Sequence, residues 1–443
     1  MKSSIVIHNR YSILIVSMEQ PTKIVAKEVE EYVTALGPGL VTGAADDDPS
    51  GIATYSQTGA QYGTSLLWLA AWTLPLMAVI QEMCGRIALV TGQGLASNIK
   101  KIYSKEALYF CTLLLFIANT LNIGADLGAI AKAIQLLVPG ASFVFLIVAI
   151  GLLCLILQVY IPYKRYAQVL KWLVISLLSY IATGFLIHMD WKTLIHDGLI
   201  PNISFTKTQI LLITGILGTT ISPYLFFWET SQEVEEEIAE GKETPESRIG
   251  TTKKAIKKMR TDVWSGMFLS NIVMFFIIAV CANTLFKNGI TDIATASDAA
   301  LALKPFAGNF ATLLFAIGII GTGMLAIPVL AGSTSYAISE SFNWKEGLYR
   351  KLSDAKAFYA IISVSIAIGI LLNFLGIDPI KGLIYSAIAN GIVAPVIIIF
   401  IVRLSGSKEL MGSHRNKPFG NIIGWIITIL MSITAIAAIW SLF

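Results

Sequence analysis

The sequence predicts an all-α, polytopic membrane protein, and three observations carry that prediction. The 443-residue chain is 55% hydrophobic and only 14% charged, against roughly 25% charged residues in an ordinary soluble domain. Its mean hydropathy is +0.71. Its apolar residues gather into about eleven segments long enough to cross a bilayer. The net charge of +4 comes from dispersed basic residues, which speaks against a nucleic-acid partner.

Residues 1–35 predict a polar, amphipathic, cytoplasmic lead-in. Its apolar patch, Tyr11 to Met18, is too short to span and has no small-residue cleavage site, so it does not read as a signal peptide. Met18 is an alternative start. A single transmembrane domain is expected over 36–443. Its spans run near 36–60, 65–90, 107–137, 143–161, 166–187, 209–232, 262–286, 309–340, 357–375, 380–402 and 420–442, with the first and sixth broken.

With the N-terminus inside, 26 Lys and Arg fall on the cytoplasmic side. Five fall outside (Lys192, Lys207, Lys287, Lys304, Lys381), and Lys132 lies within span 3. That bias predicts a cytoplasmic N-terminus and, after eleven spans, an external C-terminus. The expected setting is the plasma or inner membrane, with the lipid bilayer as partner. No feature specifies an oligomeric state.

The connection between spans 6 and 7, Glu233 to Arg260, is acidic first and basic afterwards, and reads as a solvated helical hairpin with its basic end near anionic lipid. Cys84, Cys111, Cys154 and Cys281 lie in apolar runs without paired spacing, as small buried hydrophobes do.

Span 1 contains GPGLVTGAADDDPSGI, from Gly37 to Ile52. Asp46, Asp47 and Asp48 stand together at membrane depth, where charge is costly and marks a binding or conduction site. Pro49, Ser50 and Gly51 follow and interrupt the helix. Unwound backbone at that depth is tolerated only inside protein or along a wet cavity. Span 6 carries a second interruption, Gly218-Thr219-Thr220-Ile221-Ser222-Pro223-Tyr224. Spans 1 and 6 each open a set of five, and an odd number inverts the second set. Matching breaks in inverted repeats, about 36–187 and 209–402 with an extra helix at 420–442, point to a midplane transport site. Two simple proline kinks are the plainer alternative, and the three aspartates argue against it.

Together, GPG…DPSGIAT…GAQYG and GTTISPY resemble the Nramp family of divalent-metal transporters, most closely its branch of Nramp-related magnesium transporters. The resemblance covers spans 1 to 10. It implies a LeuT-like fold, two inverted five-helix repeats with a metal site between the unwound parts of spans 1 and 6. Transition-metal members carry Asp-Pro-Gly-Asn and Met-Pro-His at the two breaks. Here Asp48 matches the metal-binding aspartate, Gly51 stands at the asparagine position, Ser222 at the methionine and Tyr224 at the histidine. Thr219 falls where a backbone carbonyl contributes.

The resulting donor set, Asp47, Asp48, Ser222, the Thr219 carbonyl and Glu229, is all oxygen. Oxygen suits hard cations, whereas a thioether favours transition metals. Mg2+ keeps several of its waters, and the small residues Gly51 and Ser222 suggest room for a partly hydrated ion. Asp46 is expected to face an aqueous vestibule. Glu229, seven residues beyond Ser222 and on the same face, either extends the path or ties a helix pair.

Span 3 places Asn119, Asn122 and Asp126 on one stripe. Asp126 resembles a proton-relay residue of the coupled relatives, but their next acidic position is Ala129 here and the relay histidine is Tyr224. Interhelical hydrogen bonding is the alternative use of that stripe. Glu82 and Arg86, spaced i, i+4, suggest an ion pair. Asn390-Gly391 either borders the ion path or packs helices.

The expectation is therefore a transporter importing Mg2+, and Mn2+ with it, by alternating access without proton coupling. Its rivals are a proton-coupled Mn2+ or Fe2+ transporter and a sodium-coupled organic-solute transporter. The latter would want bare helix N-termini rather than three acids. No phosphate-binding loop, HExxH or catalytic pairing supports an enzyme, ATP use or a resident cofactor.

Overall fold

The computed structural model describes residues 37–161, 178–187, 189–293, 296–304 and 308–442. The lead-in with Met18 and the first half of span 5 lie outside them. Every described residue from Pro38 onward falls in one compact unit.

Span 1 is two helices, α1 (Pro38–Asp46) and α2 (Pro49–Tyr62). They separate because Asp48 is extended (φ −65°, ψ 173°) and caps α2, its carboxylate accepting from the Gly51 N–H. Pro49 occupies the first helical position, where a missing N–H costs nothing. Next come α3 (Trp68–Thr91), the short α4 (Leu95–Ile102), the 33-residue α5 (Lys105–Leu137), α6 (Phe143–Tyr160), α7 (Leu178–Leu186) and α8 (Trp191–Leu199).

Span 6 repeats the device of span 1, with α9 (Lys207–Thr220) and α10 (Pro223–Ala239) divided at Ile221 and Ser222 and restarted on a proline. The remaining long elements are α11 (Lys253–Thr284), the short α12 (Ala296–Leu301), α13 (Ala311–Phe342), α14 (Lys356–Leu372), α15 (Pro379–Gly406) and α16 (Pro418–Leu442). Counting α9 and α10 as one, eight described helices are long and apolar enough to cross a membrane, and α14 is a shorter apolar one. The four cysteines are free and buried.

Glycines bring the broken spans against whole ones. A Cβ on Gly43 would stand 2.3 Å from the Gly266 carbonyl, and one on Gly218 would stand 2.1 Å from the Ala387 carbonyl. Thus α1 lies backbone to backbone on α11, and α9 on α15, as small residues permit in membrane bundles. Asp262 of α11 accepts from the Gly39 and Leu40 N–H groups at 2.7 and 3.1 Å, capping the start of α1 from another helix.

Two sequence expectations about charged side chains outside the breaks change. Glu82 does not pair with Arg86. It meets Arg260 at 2.8 Å, while Arg86 donates to the His414 carbonyl and the Asn416 side chain. A neighbouring helix supplies better-placed partners than the next turn does. Nor is the acidic start of the 6–7 connection solvated. Helix α10 continues through it, and Glu233, Glu235 and Glu237 are buried. Glu235 accepts from the Tyr336 hydroxyl and the Leu348 N–H, and Glu237 pairs with Lys242.

Candidate functional site

The two breaks face each other and are joined by hydroxyls. Asp48 Oδ1 accepts from Ser50 Oγ at 2.6 Å and from the Gly51 N–H at 2.7 Å. Its Oδ2 accepts from Asn122 Nδ2 of α5 at 2.7 Å. Asn122 is itself held by Ser386 of α15, whose hydroxyl donates to Oδ1 at 2.6 Å. A carboxylate has about four acceptor sites, so these three bonds fix Asp48 and leave one site for a cation. Ser50 reaches Thr219 at 3.4 Å, and Tyr55 reaches Thr220 at 3.0 Å. Both contacts tie α2 to the end of α9.

The last carbonyls of a helix have no partner within it, and here the span 6 break supplies donors to the ends of both α1 and α9. Tyr224 donates to the Ala45 carbonyl at the end of α1, at 2.7 Å. Ser222 Oγ lies 2.6 Å from both the Gly218 and Thr219 carbonyls at the end of α9, which share its one proton. Tyr224 therefore stands as a cap across the breaks. Thr219 presents its carbonyl with one lone pair already engaged.

Asp46 and Asp47 complete the centre. Both have no exposure, so Asp46 does not face an aqueous vestibule as the sequence suggested; the packing of α11 on α1 encloses it beside Ser270. Ser270 of α11 stands beside both aspartates, but its one proton goes to Asp46 Oδ2 at 2.5 Å. Asp46 Oδ1 and both oxygens of Asp47 are left without a hydrogen-bond donor. An unpaired buried carboxylate is expensive. A cation is the partner that suits it. Even so, no three Asp, Glu, His or Cys side chains among the described residues are arranged to hold a metal by themselves. Carbonyls, hydroxyls and water would have to complete the shell.

The other candidates are spread along the helices. Glu229 accepts from Thr42 of α1 at 2.6 Å, with Oε1 unpartnered. It lies six residues into α10 from Pro223, about 9 Å along the helix from the break. Asp126, two turns of α5 from Asn119, is buried with both oxygens unpartnered. Asn390 is buried with neither polar atom partnered, while neighbouring Gly391 packs against Thr214 and Gly218. Asn119 bonds the Leu330 carbonyl, Ser333 and Thr334 of α13, the interhelical use of its stripe. Where the sequence suggests room at Gly51, the structure closes it. A Cβ there would meet Thr219 Oγ1, the Asp46 carbonyl and Tyr55 at 3.1–3.3 Å.

Sequence reasoning missed Ser50, Thr42, Ser270, Ser386 and the Ala45 carbonyl. Lone serines and threonines in apolar spans carry no pattern. Ser50 alone had a signal, its place directly after an N-cap aspartate and proline.

The fold is that of the LeuT-like transporters, with spans 1 and 6 each broken into two helices. Mhp1, a nucleobase-cation-symport-1 family transporter, aligns with a TM-score of 0.56 at 14% identity, covering 92% of this chain and 91% of that one. A structure of the Eremococcus coleocola manganese transporter aligns at 0.75 with 16% identity, covering 93% and 87%. Residues 39–441 match the family described as Nramp, natural resistance-associated macrophage protein-like. This chain belongs to the Nramp family. The divalent metal cation transporter MntH of Pectobacterium carotovorum is 25% identical over 410 residues, 90% of this chain and 92% of that protein. MntH of Mycobacterium tuberculosis is 25% identical over 412 residues, 91% of each.

Proposed function

We propose that this chain is a divalent metal cation transporter that imports Mg2+, and Mn2+ with it, as a partly hydrated ion, by alternating access and without proton coupling. The observation that carries this reading is the all-oxygen lining of the two breaks around the unpartnered, buried carboxylate of Asp47. Asp48, Asp47, Ser222 and the Thr219 carbonyl are the proposed ligands. Gly51 keeps the backbone close, Asp46 and Tyr224 border the ion, and Asn122 aims Asp48. Glu229, Asp126 and Asn390 mark polar steps along the path.

Such a donor set suits hard ions, and retained waters would fill positions that side chains do not reach. The membrane potential favours entry of two charges by about 4.6 kcal/mol per 100 mV, twice the single-charge value, so no proton is needed. The MntH relatives support the divalent-cation part of the reading.

A second reading, proton-coupled Mn2+ or Fe2+ transport, is favoured by one observation: Asp126 is buried with both oxygens unpartnered, as a residue that exchanges a proton could be. Flux into proteoliposomes containing a pH dye separates the two. Entry of both Mg2+ and Mn2+ without acidification, abolished in Asp48→Ala, supports the first. Exclusion of Mg2+ while Mn2+ enters with protons overturns it.

A further inference from the structure

Away from the breaks, the C-terminal half of α3, the first turns of α11 and the segment between α15 and α16 enclose a cavity of about 660 Å3. Six cationic side chains line it: Arg86, Lys253, Lys257, Arg260, Arg415 and Lys417. They are opposed by one carboxylate, Glu82, which is committed to Arg260 at 2.8 Å. Like charges this close repel one another, and nothing in the transport path uses them.

The wall is built rather than loose. Arg86 is bonded to the His414 carbonyl and Asn416, and Asn416 donates to Ser405 at 2.8 Å. The Arg86 Nε–H is buried without an acceptor. Helices α11 and α16 both begin at the cavity, at Lys253 and Pro418, adding the positive ends of two helix dipoles. From its mouth an apolar stripe runs down α16 through Phe419, Ile422, Ile426, Leu430 and Ile433, all exposed.

We propose that this cavity binds the phosphate headgroup of an anionic phospholipid whose acyl chains lie along that stripe of α16. The phosphate chemistry could equally come from a free anion, but a free anion would have no use for the apolar stripe. Basic pockets between membrane helices are a recognised setting for such headgroups.

The test is lipid binding to the purified, detergent-solubilised full chain, read by native mass spectrometry and thermal shift. Phosphatidylglycerol, phosphatidylcholine and inorganic phosphate are titrated at low and high salt. Phosphatidylglycerol should bind in preference to phosphatidylcholine, with the preference falling as salt rises. Lys253→Gln/Lys257→Gln should weaken it about 30-fold. Lys254→Gln/Lys258→Gln, with the same charge change on the same helix but outside the cavity, should leave it unchanged. Arg415→Gln, across the cavity, should weaken binding independently of α11. Equal losses in both lysine pairs would replace the discrete site with a diffuse basic surface and overturn the proposal. So would inorganic phosphate binding as tightly as the lipid.

Discussion

Asn122 Nδ2 donates to Asp48 Oδ2 at 2.7 Å, joining the middle of α5 to the break in span 1. One amide thus aims the carboxylate proposed as the principal ligand, and Ser386 holds that amide from α15. Removing a group that orients a ligand costs about 10- to 100-fold in metal affinity. Asn122→Leu should weaken Mg2+ binding in that range by isothermal titration, while Asp48→Ala abolishes it. Unchanged affinity in Asn122→Leu would mean that Asp48 is oriented by its Ser50 and Gly51 contacts alone.

Tyr224 joins the breaks by one bond to the Ala45 carbonyl, worth about 1 kcal/mol net. Tyr224→Phe should therefore remain active, with KM for Mg2+ altered no more than about fivefold. Complete loss of flux in a folded protein would make the hydroxyl part of the transport chemistry.

Ser222 presents an oxygen where a thioether would favour softer ions. Ser222→Met should shift the Mn2+ to Mg2+ flux ratio upward by about tenfold, a difference of about 1.4 kcal/mol. A ratio that stays flat would remove residue 222 from the selectivity argument.

Backbone contact between α1 and α11 leaves no space for a methyl group. Gly43→Ala would press a Cβ to within 2.3 Å of the Gly266 carbonyl and should destabilise the protein by about 1–3 kcal/mol. Gly420→Ala in α16 has nothing within 4 Å and should be neutral or slightly stabilising. Thermal unfolding of the two variants side by side tests the pair. Similar midpoints would refute the close approach of α1 to α11.

Glu346, between α13 and α14, is pushed well above its ordinary value of 4.5, first by burial and then by the charges of Glu340 and Glu235. An acid whose folded value is raised holds its proton longer in the folded state. Its contribution to stability is therefore lost as pH climbs from about 4.5 towards that raised value. Glu346→Gln should raise the melting temperature at pH 8 and leave it unchanged near pH 4. A gain of equal size at both would show that charge is not the cause.

The acidic run Glu233 to Glu237 shows why some of this chain could not be read in advance. Its composition resembles a solvated hairpin, yet α10 carries it into the protein, where Tyr336 and the Leu348 N–H receive Glu235. Those partners lie about a hundred residues away, and no local pattern announces them. Glu82 follows the same logic: its spacing to Arg86 is local, whereas Arg260, its partner at 2.8 Å, comes from a distant helix.

What the sequence by itself determined was the helical membrane class, the two proline-restarted breaks and the three aspartates beside the first. Hydropathy, proline chemistry and the cost of buried charge act locally along the chain. The tertiary structure alone decided which aspartate oxygens are engaged and which are free. Ser50 and Asn122 occupy Asp48, Ser270 gives its single proton to Asp46, and Asp47 is left unpartnered. Each donor comes from a different helix or turn, and hydrogen bonds reach only about 3 Å, so their allocation depends on how the helices pack.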